Sequence, residues 1–272
     1  MCSDKQAVHD FWEEASCGEE LYLSGITRQN YLEQSHIRYC LEPYIASFAG
    51  FESFADKKVL EVGVGLGADH QKFAECGAIL AGVDLTRRAI LRTQHRFQQF
   101  NLTSFLQVAD AENLPFKDQE FDLVYSWGVL HHSPNTGRAL DEVCRVIKPG
   151  GFAKIMIYHT WSLVGFMLWI RYALLRLKPF TPLKEIYGQY LESPGTKAYT
   201  VEEARALFSK FDSVEIATVL THGDLLTSSA GQRHQGLLLS MARKIWPRWF
   251  IRSFFPNCGL FILITARKPL EI

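Results

Sequence analysis

Val59-Leu60-Glu61-Val62-Gly63-Val64-Gly65-Leu66-Gly67 is the stretch that decides the fold. A short buried-strand pattern runs straight into three glycines spaced two apart. Glycine lets the backbone approach a ligand closely, and the N-terminus of a following helix adds amide donors. The predicted helix covers about 68–76 and leads to a second strand, Ala78-Ile79-Leu80-Ala81-Gly82-Val83-Asp84. Thr86 then caps a helix through about Phe100. Strand patterns recur at Phe105–Ala109, Phe121–Ser126 and Phe152–Tyr158, with a helix at about 137–147 and a turn at Lys148-Pro149-Gly150-Gly151. Strands alternating with helices at this spacing imply parallel pairing and a doubly wound α/β sheet.

Around this core the pattern changes. Residues 1–56 read as helical, with an apolar stripe near a 3.6-residue period. After Tyr158 comes the apolar, aromatic Trp161–Leu177, and Pro179, Pro182, Pro194 and Gly195 punctuate a connector with a helix near 184–191. Thr200 and Glu203 form a capping box opening a helix to about Lys210. Strands at Val214–Leu220 and Gly259–Ala266 follow. The expected organisation is a helical cover over 1–56, a nucleoside-binding core over 57–159, an apolar helical insertion over 160–200, and completion of the sheet over 201–272.

Composition narrows the function classes. With 29 basic and 29 acidic residues among 272, net charge gives no reason to expect nucleic acid. Six cysteines, none in a C-x-x-C pair, suggest neither a zinc ribbon nor a disulfide framework, and no metal is expected. They read as reduced thiols in a cytoplasmic protein. The polar N-terminus shows no signal peptide, and the longest run free of acids and bases, Ile155–Ile170, is shorter than the ~18–20 residues of a spanning helix.

The glycine loop by itself also satisfies a dinucleotide fingerprint, Gly63-x-Gly65-x-x-Ala68. Asp84, ending the second strand, can accept both hydroxyl hydrogens of a ribose in either NAD or S-adenosylmethionine (SAM). To this point the reading is nucleoside binding of open type. Asp110-Ala111-Glu112 after the third strand, the strand-to-loop run Phe121–His132, and Arg145-Val146-Ile147-Lys148-Pro149-Gly150-Gly151 before the fifth strand separate the two types. Across about residues 57–159 these ordered motifs resemble the class I SAM-dependent methyltransferases, in the branch that includes ubiquinone/menaquinone-biosynthesis and other small-molecule enzymes.

The resemblance implies a Rossmann-like seven-stranded sheet whose last strand runs antiparallel, beside Val214–Leu220. It also implies that Glu61, Gly63, Gly65 and Gly67 surround the methionine part of SAM. Asp84 would hold the ribose with Leu85 near the adenine, Asp110 and Ala111 would take the adenine edge, and Trp127 would floor the sulfonium. Tyr22, Tyr31 and Arg38 are candidates to cover the cofactor carboxylate. Methyl transfer needs a base only where the acceptor loses a proton. Candidates are His131, His132 and His159, with Tyr158, Trp161 and Phe166 expected to meet the acceptor.

The acid-free stretch Arg233–Arg252 mixes five basic residues with leucine, tryptophan and phenylalanine, and a basic amphipathic helix is expected at about 237–245. With Trp161–Leu177 it forms either a lid over a greasy site or a surface lying on a membrane. Both point to a hydrophobic small-molecule acceptor, such as a quinone, polyketide, terpenoid or lipid-like compound. An NAD-dependent oxidoreductase and a non-catalytic SAM-binding protein are the competing classes. The first leaves Asp110-Ala111-Glu112 and the terminal strand unexplained.

Overall fold

The computed structural model describes residues 3–228 and 244–270. Four helices precede the sheet: α1 (Ser3–Glu14), α2 (Glu19–Tyr22), α3 (Arg28–Leu41) and α4 (Tyr44–Ala49). The core then alternates as β1 (Lys58–Val62), α5 (Ala68–Glu75), β2 (Ile79–Asp84), α6 (Arg87–Phe100), β3 (Phe105–Val108), β4 (Phe121–Trp127), α7 (Thr136–Val146) and β5 (Ile147–Tyr158). The insertion carries α8 (Leu163–Tyr172) and α9 (Leu183–Tyr190). After it come α10 (Val201–Leu207), β6 (Ser213–Val219), α11 (Arg248–Phe254) and β7 (Phe261–Arg267).

The seven strands lie in the order β3-β2-β1-β4-β5-β7-β6. β1 to β5 are mutually parallel, and β7 runs antiparallel to both neighbours, with Ile155 opposite Ile264 and Ile216 opposite the same Ile264. This is the expected doubly wound sheet with its antiparallel last strand. Central strands of such a sheet are covered on both faces and read as near-continuous apolar runs. Leu60, Leu123, Val124, Ile155, Ile262 and Ile264 are accordingly fully buried.

Two boundaries differ from the sequence reading by three residues or more. β5 begins at Ile147 rather than Phe152, because Ile147 pairs with Phe121 before the register shifts between Phe121 and Leu123. The expected turn at 148–151 is this irregularity within the strand. α10 stops at Leu207, three residues short of Lys210, where the chain turns through Phe208–Phe211. Most of the expected 237–245 helix, together with Arg233, Leu237, Leu238, Leu239, Met241 and Arg243, lies outside the described residues.

The start of β7 is tied to α8 by one buried carboxylate. Asp224 accepts from the backbone amides of Val164 (3.1 Å), Thr221 (2.9 Å) and Leu260 (2.9 Å), and from the Thr221 hydroxyl (2.8 Å). Beside it Gly259 passes so close to β6 that an added Cβ would stand 1.8 Å from the Val219 carbonyl oxygen. Backbone cannot yield there as a flexible side chain would. Gly259→Ala is expected to cost about 3 kcal/mol, at the upper end of overpacking substitutions. A urea midpoint equal to that of the parent protein would show that this contact is not part of the folded state.

Candidate active site

One cavity of about 880 Å3 opens at the carboxyl ends of β1, β2 and β4 and extends beneath α1, α2, α3 and α8. This is the crevice where open α/β sheets place ligands. Its two ends differ in chemistry.

At the polar end, Gly63 and Gly65 take φ of +86° and +50°. A Cβ on Gly63 would overlap the Val129 side chain at 2.1 Å, whereas one on Gly65 would meet nothing within 4 Å. Gly63 is thus required by packing, and Gly65 by its backbone conformation beside open space. The buried Arg96 braces the loop from behind, donating to Leu66 O (3.0 Å), Tyr31 O (3.2 Å), Gln34 Oε1 (2.8 Å), Gln71 Oε1 (2.6 Å) and the Ser35 hydroxyl. Among the described residues no carboxylate pairs with it, and burial pulls its pKa down to about 10.

Asp84 closes this end. Its Oδ1 accepts from the amide (2.9 Å) and hydroxyl (2.7 Å) of Thr86, while Oδ2 has only a 3.2 Å bond from Gly65 N. A carboxylate oxygen offers about two lone-pair sites, so Oδ2 retains capacity for a ribose hydroxyl. Leu85 and Ala111 line the same end. Asp110 also lines it, but α1 reaches over it: Lys5 Nζ lies 2.6 Å from Asp110 and 2.8 Å from Glu112. The Asp110 Oδ1 atom accepts from Glu112 N at 2.9 Å.

Glu61 is buried against His70, with Oε2 2.8 Å from Nδ1. The opposite ring nitrogen is 2.8 Å from Ser104 Oγ, which itself donates to Leu80 O at 2.9 Å. Burial holds Glu61 well above the usual carboxylate range and pulls His70 down to about 3, so the site disfavours charge on either group.

Arg38 lines the cavity, yet its guanidinium is engaged. Nε and Nη2 grip Asp69 at 3.1 and 2.6 Å, and Nη1 reaches Glu42 at 3.3 Å. Tyr39 (3.0 Å) and Tyr125 (2.9 Å) also donate to Asp69. The Arg38 charge and these donors hold Asp69 below its ordinary pKa despite burial, and burial pushes neighbouring Glu42 up to about 7. Tyr22 lines the cavity. Tyr31 does not, since its hydroxyl turns away toward His95 Nδ1 (3.2 Å) and Arg92 O (3.4 Å).

The far end is apolar. Trp127 forms its floor, stacked on Tyr44 (ring centroids 6.0 Å) and meeting Phe261 edge-on (5.8 Å). Val164, Met167, Leu168, Ile170 and Arg171 come from α8, and Leu175 from the turn after it. Of the residues expected at the acceptor, Tyr158 is among those lining the cavity. Trp161 and Phe166 are not: they are 65% and 55% exposed, and Phe166 stacks on Trp169 away from the cavity. Helical geometry explains the difference for Phe166, because 164, 167, 168 and 171 share a face opposite 166, with Ile170 at its edge.

The three candidate bases also separate. His132 lines the cavity. His131 is fully buried behind it, against the Tyr158 ring at 4.0 Å. His159 lies off the cavity, with Nδ1 3.1 Å from Gly259 O and its own carbonyl accepting from Tyr187 (2.9 Å). Sequence reading overlooked Glu192, which accepts from Tyr158 Oη at 2.6 Å and lies 3.4 Å from His132 Nε2. It sits in an irregular connector with no motif around it. Glu42 and His222, both on the cavity wall, likewise carried no pattern in the sequence.

Comparison with known proteins agrees with this geometry. Residues 60–155 match the family model described as a methyltransferase domain. An uncharacterized protein of Mycobacterium tuberculosis is 38% identical over 109 residues, 40% of this chain and 39% of that protein. The demethylmenaquinone methyltransferase of Tropheryma whipplei is 31% identical over 153 residues, 55% of this chain and 63% of that one. The chain thus spans between about two fifths and two thirds of these relatives' length. A solved SAM-dependent methyltransferase of Thermotoga maritima, a possible histamine N-methyltransferase, shares the fold at TM-score 0.51 and 19% identity, covering 89% of this chain and 98% of that one.

Residues 60–155 are thus a methyltransferase domain, and the cofactor of such a domain is SAM. The residues present fit that molecule. The strand-ending Asp84 keeps acceptor capacity, the backbone at Gly65 leaves open space, and a cavity of about 880 Å3 exceeds the lower range of small-ligand pockets.

Asp84→Ala is expected to weaken S-adenosylhomocysteine binding by ~1.5–3 kcal/mol, the scale of hydrogen bonds to a charged group. Calorimetric titration of both proteins measures it. Equal affinities would place the ribose elsewhere.

Proposed function

We propose that this protein transfers a methyl group from SAM to a hydrophobic small molecule of the quinone type. The carrying observation is the continuity of the cavity: the glycine loop and Asp84 at one end share a single space with Trp127, Tyr158 and the inward face of α8. When bound, SAM supplies an electrophilic methyl on a sulfonium that is already a good leaving group. The protein's part is then mainly alignment, holding a nucleophile in line at about 3–3.5 Å.

Its residues divide that work. Gly63, Gly65 and Asp84 fix the nucleoside and the methionine chain. Trp127 gives an aromatic floor between the two ends. Val164, Met167, Leu168 and Phe261 exclude water from the acceptor and favour an apolar body. Tyr158, with its hydroxyl on Glu192, and His132 form the polar group at the acceptor end, where a phenolic proton would have to leave. The likeness to a relative named demethylmenaquinone methyltransferase supports an aromatic, quinone-type acceptor.

The same α8 runs outward to an apolar rim. Leu175 is 70% exposed, Leu177 90% and Phe180 96%. Arg171, Arg176 and Lys178 stand among them, with no acid between Trp161 and Lys184. No helix among the described residues is long and apolar enough to cross a membrane. A basic, apolar rim continuous with the cavity lining suits contact with a bilayer surface in which such an acceptor would be dissolved.

Two experiments test these readings. With methyl-labelled SAM and hydroquinones of increasing tail length, label is expected to enter the organic phase with KM falling as the tail grows. Absence of transfer to every phenol and hydroquinone, in protein that binds S-adenosylhomocysteine, overturns the acceptor class. For the rim, Leu177→Ser with Phe180→Ser is expected to reduce co-sedimentation with anionic vesicles about tenfold, from two apolar side chains at ~1.5–3 kcal/mol each when fully buried and less at an interface. Unchanged sedimentation removes the rim from membrane contact.

A further inference from the structure

The sharpest unsatisfied chemistry in the described residues lies beside the acceptor end of the cavity. His131 is fully buried, and neither ring nitrogen has a hydrogen-bond partner. His132 is 5% exposed, and its Nε2 is likewise unpartnered by hydrogen-bond geometry. A buried polar group left unmatched costs about 1–3 kcal/mol, so three such nitrogens within two residues call for an explanation.

Proton placement on His132 narrows it. Thr196 Oγ1 donates to Ser193 O at 2.7 Å, which uses its only hydrogen. A ring hydrogen on His132 Nδ1 meets Thr196 Oγ1 at 3.1 Å and Ser193 Oγ at 2.8 Å. Nε2 then faces Glu192 Oε2, 3.4 Å away, where a second proton or a metal ion must stand between lone pair and carboxylate. A proton there would still leave both His131 nitrogens unpartnered, whereas an ion takes one of them as well.

A positive centre fits. One ligand atom each from His131, His132 and Glu192 lies within 4.8 Å of the others. We propose that His131, His132 and Glu192 form a binding site for a divalent first-row transition metal, zinc in preference, at the wall of the acceptor cavity. Two neutral imidazoles and one carboxylate are a borderline donor set, suited to Zn2+ rather than to Mg2+ or Ca2+. Ligands about 2.0–2.1 Å from an ion are at most about 4.2 Å apart, so the widest pair must draw in by about half an ångström. Glu192, whose side chain is 28% exposed, is the ligand free to move. The Ser193 and Thr196 hydroxyls already provide the outer hydrogen bonds that fix a ligating histidine's tautomer and orientation.

His132, Glu192 and Tyr158 all face the cavity, so the ion would present its open position to the acceptor. An oxygen-bearing ring is the ligand class such a position takes. That consequence rests on the acceptor proposed above, whereas the metal site itself does not.

The test uses the whole chain, stripped with a chelator and titrated with Co2+ as a spectroscopic stand-in. Expected are one equivalent bound, visible d–d absorption of a low-symmetry site, and loss of that signal when Zn2+ is added. Glu192→Gln and His132→Gln should each weaken Co2+ on the order of 100-fold, and Ser193→Ala about tenfold. S-adenosylhomocysteine titrations on each protein report folding and judge the cofactor reading separately. Parent protein that binds the homocysteine product but no Co2+, or a Glu192→Gln protein that binds Co2+ as tightly as the parent, overturns the site. Glu192 lies partly exposed in a connector, so its variant keeps the test decisive if a buried histidine variant fails to fold.

Discussion

The ion pair between Asp69 and Arg38 is the interaction on which the architecture of this cavity turns. Asp69 follows the glycine loop on α5, Arg38 and Tyr39 belong to α3, and Tyr125 lies on β4; all three donate to the one carboxylate. Removing a single member of a buried pair leaves an uncompensated charge, a loss of about 3–5 kcal/mol. The helical cover, the cofactor loop and the central strand are thereby fixed against one another. Gln34, Leu41 and Glu42 then follow as cavity wall because α3 has no other place to lie.

This interaction also marks the limit of what could be read from the sequence. The strand–glycine–helix run, Asp84 and the alternation of strands with helices were legible because each is local: a period, a turn residue, a carboxylate at a strand end. Asp69 stands two residues past Gly67, yet nothing nearby reveals its partners, which lie 30 to 56 positions away. Arg38 was singled out as a residue at the cavity but not as a partner of Asp69. Glu192 is a similar case, an unremarked acid in a connector that the fold brings to Tyr158. Trp161 and Phe166 were misplaced for another reason. The one charged residue of α8, Arg171, itself lines the cavity, so hydrophobicity alone could not say which face turns inward. His159 adjoins a strand end, as a site residue would, but the root of the insertion turns it toward Gly259.

The two ends of the cavity are built by different means. At the nucleoside end, conformation and buried polar networks dominate: positive-φ glycines, the braced loop at Arg96, the buried Glu61 on His70. At the acceptor end, side-chain faces dominate, and the supporting element is held at its root by the four bonds to Asp224. Substitutions on the inward face of α8 can therefore alter the shape offered to an acceptor while leaving Gly63, Gly65 and Asp84 untouched.

Strand order sets a timetable for synthesis. β6 touches the sheet only through β7, and β7 closes the edge of β5, although about a hundred residues separate the two in sequence. While those residues are being made, Ile155, Met156 and Ile157 stand on an edge strand with unpaired amides and carbonyls, a ready template for another chain. At about 5–20 residues per second that edge stays open for about 5–20 s. Placing the last strand inside the sheet thus gives the nascent chain an interval of aggregation risk, in which a chaperone shielding the β5 edge would raise the yield of folded protein.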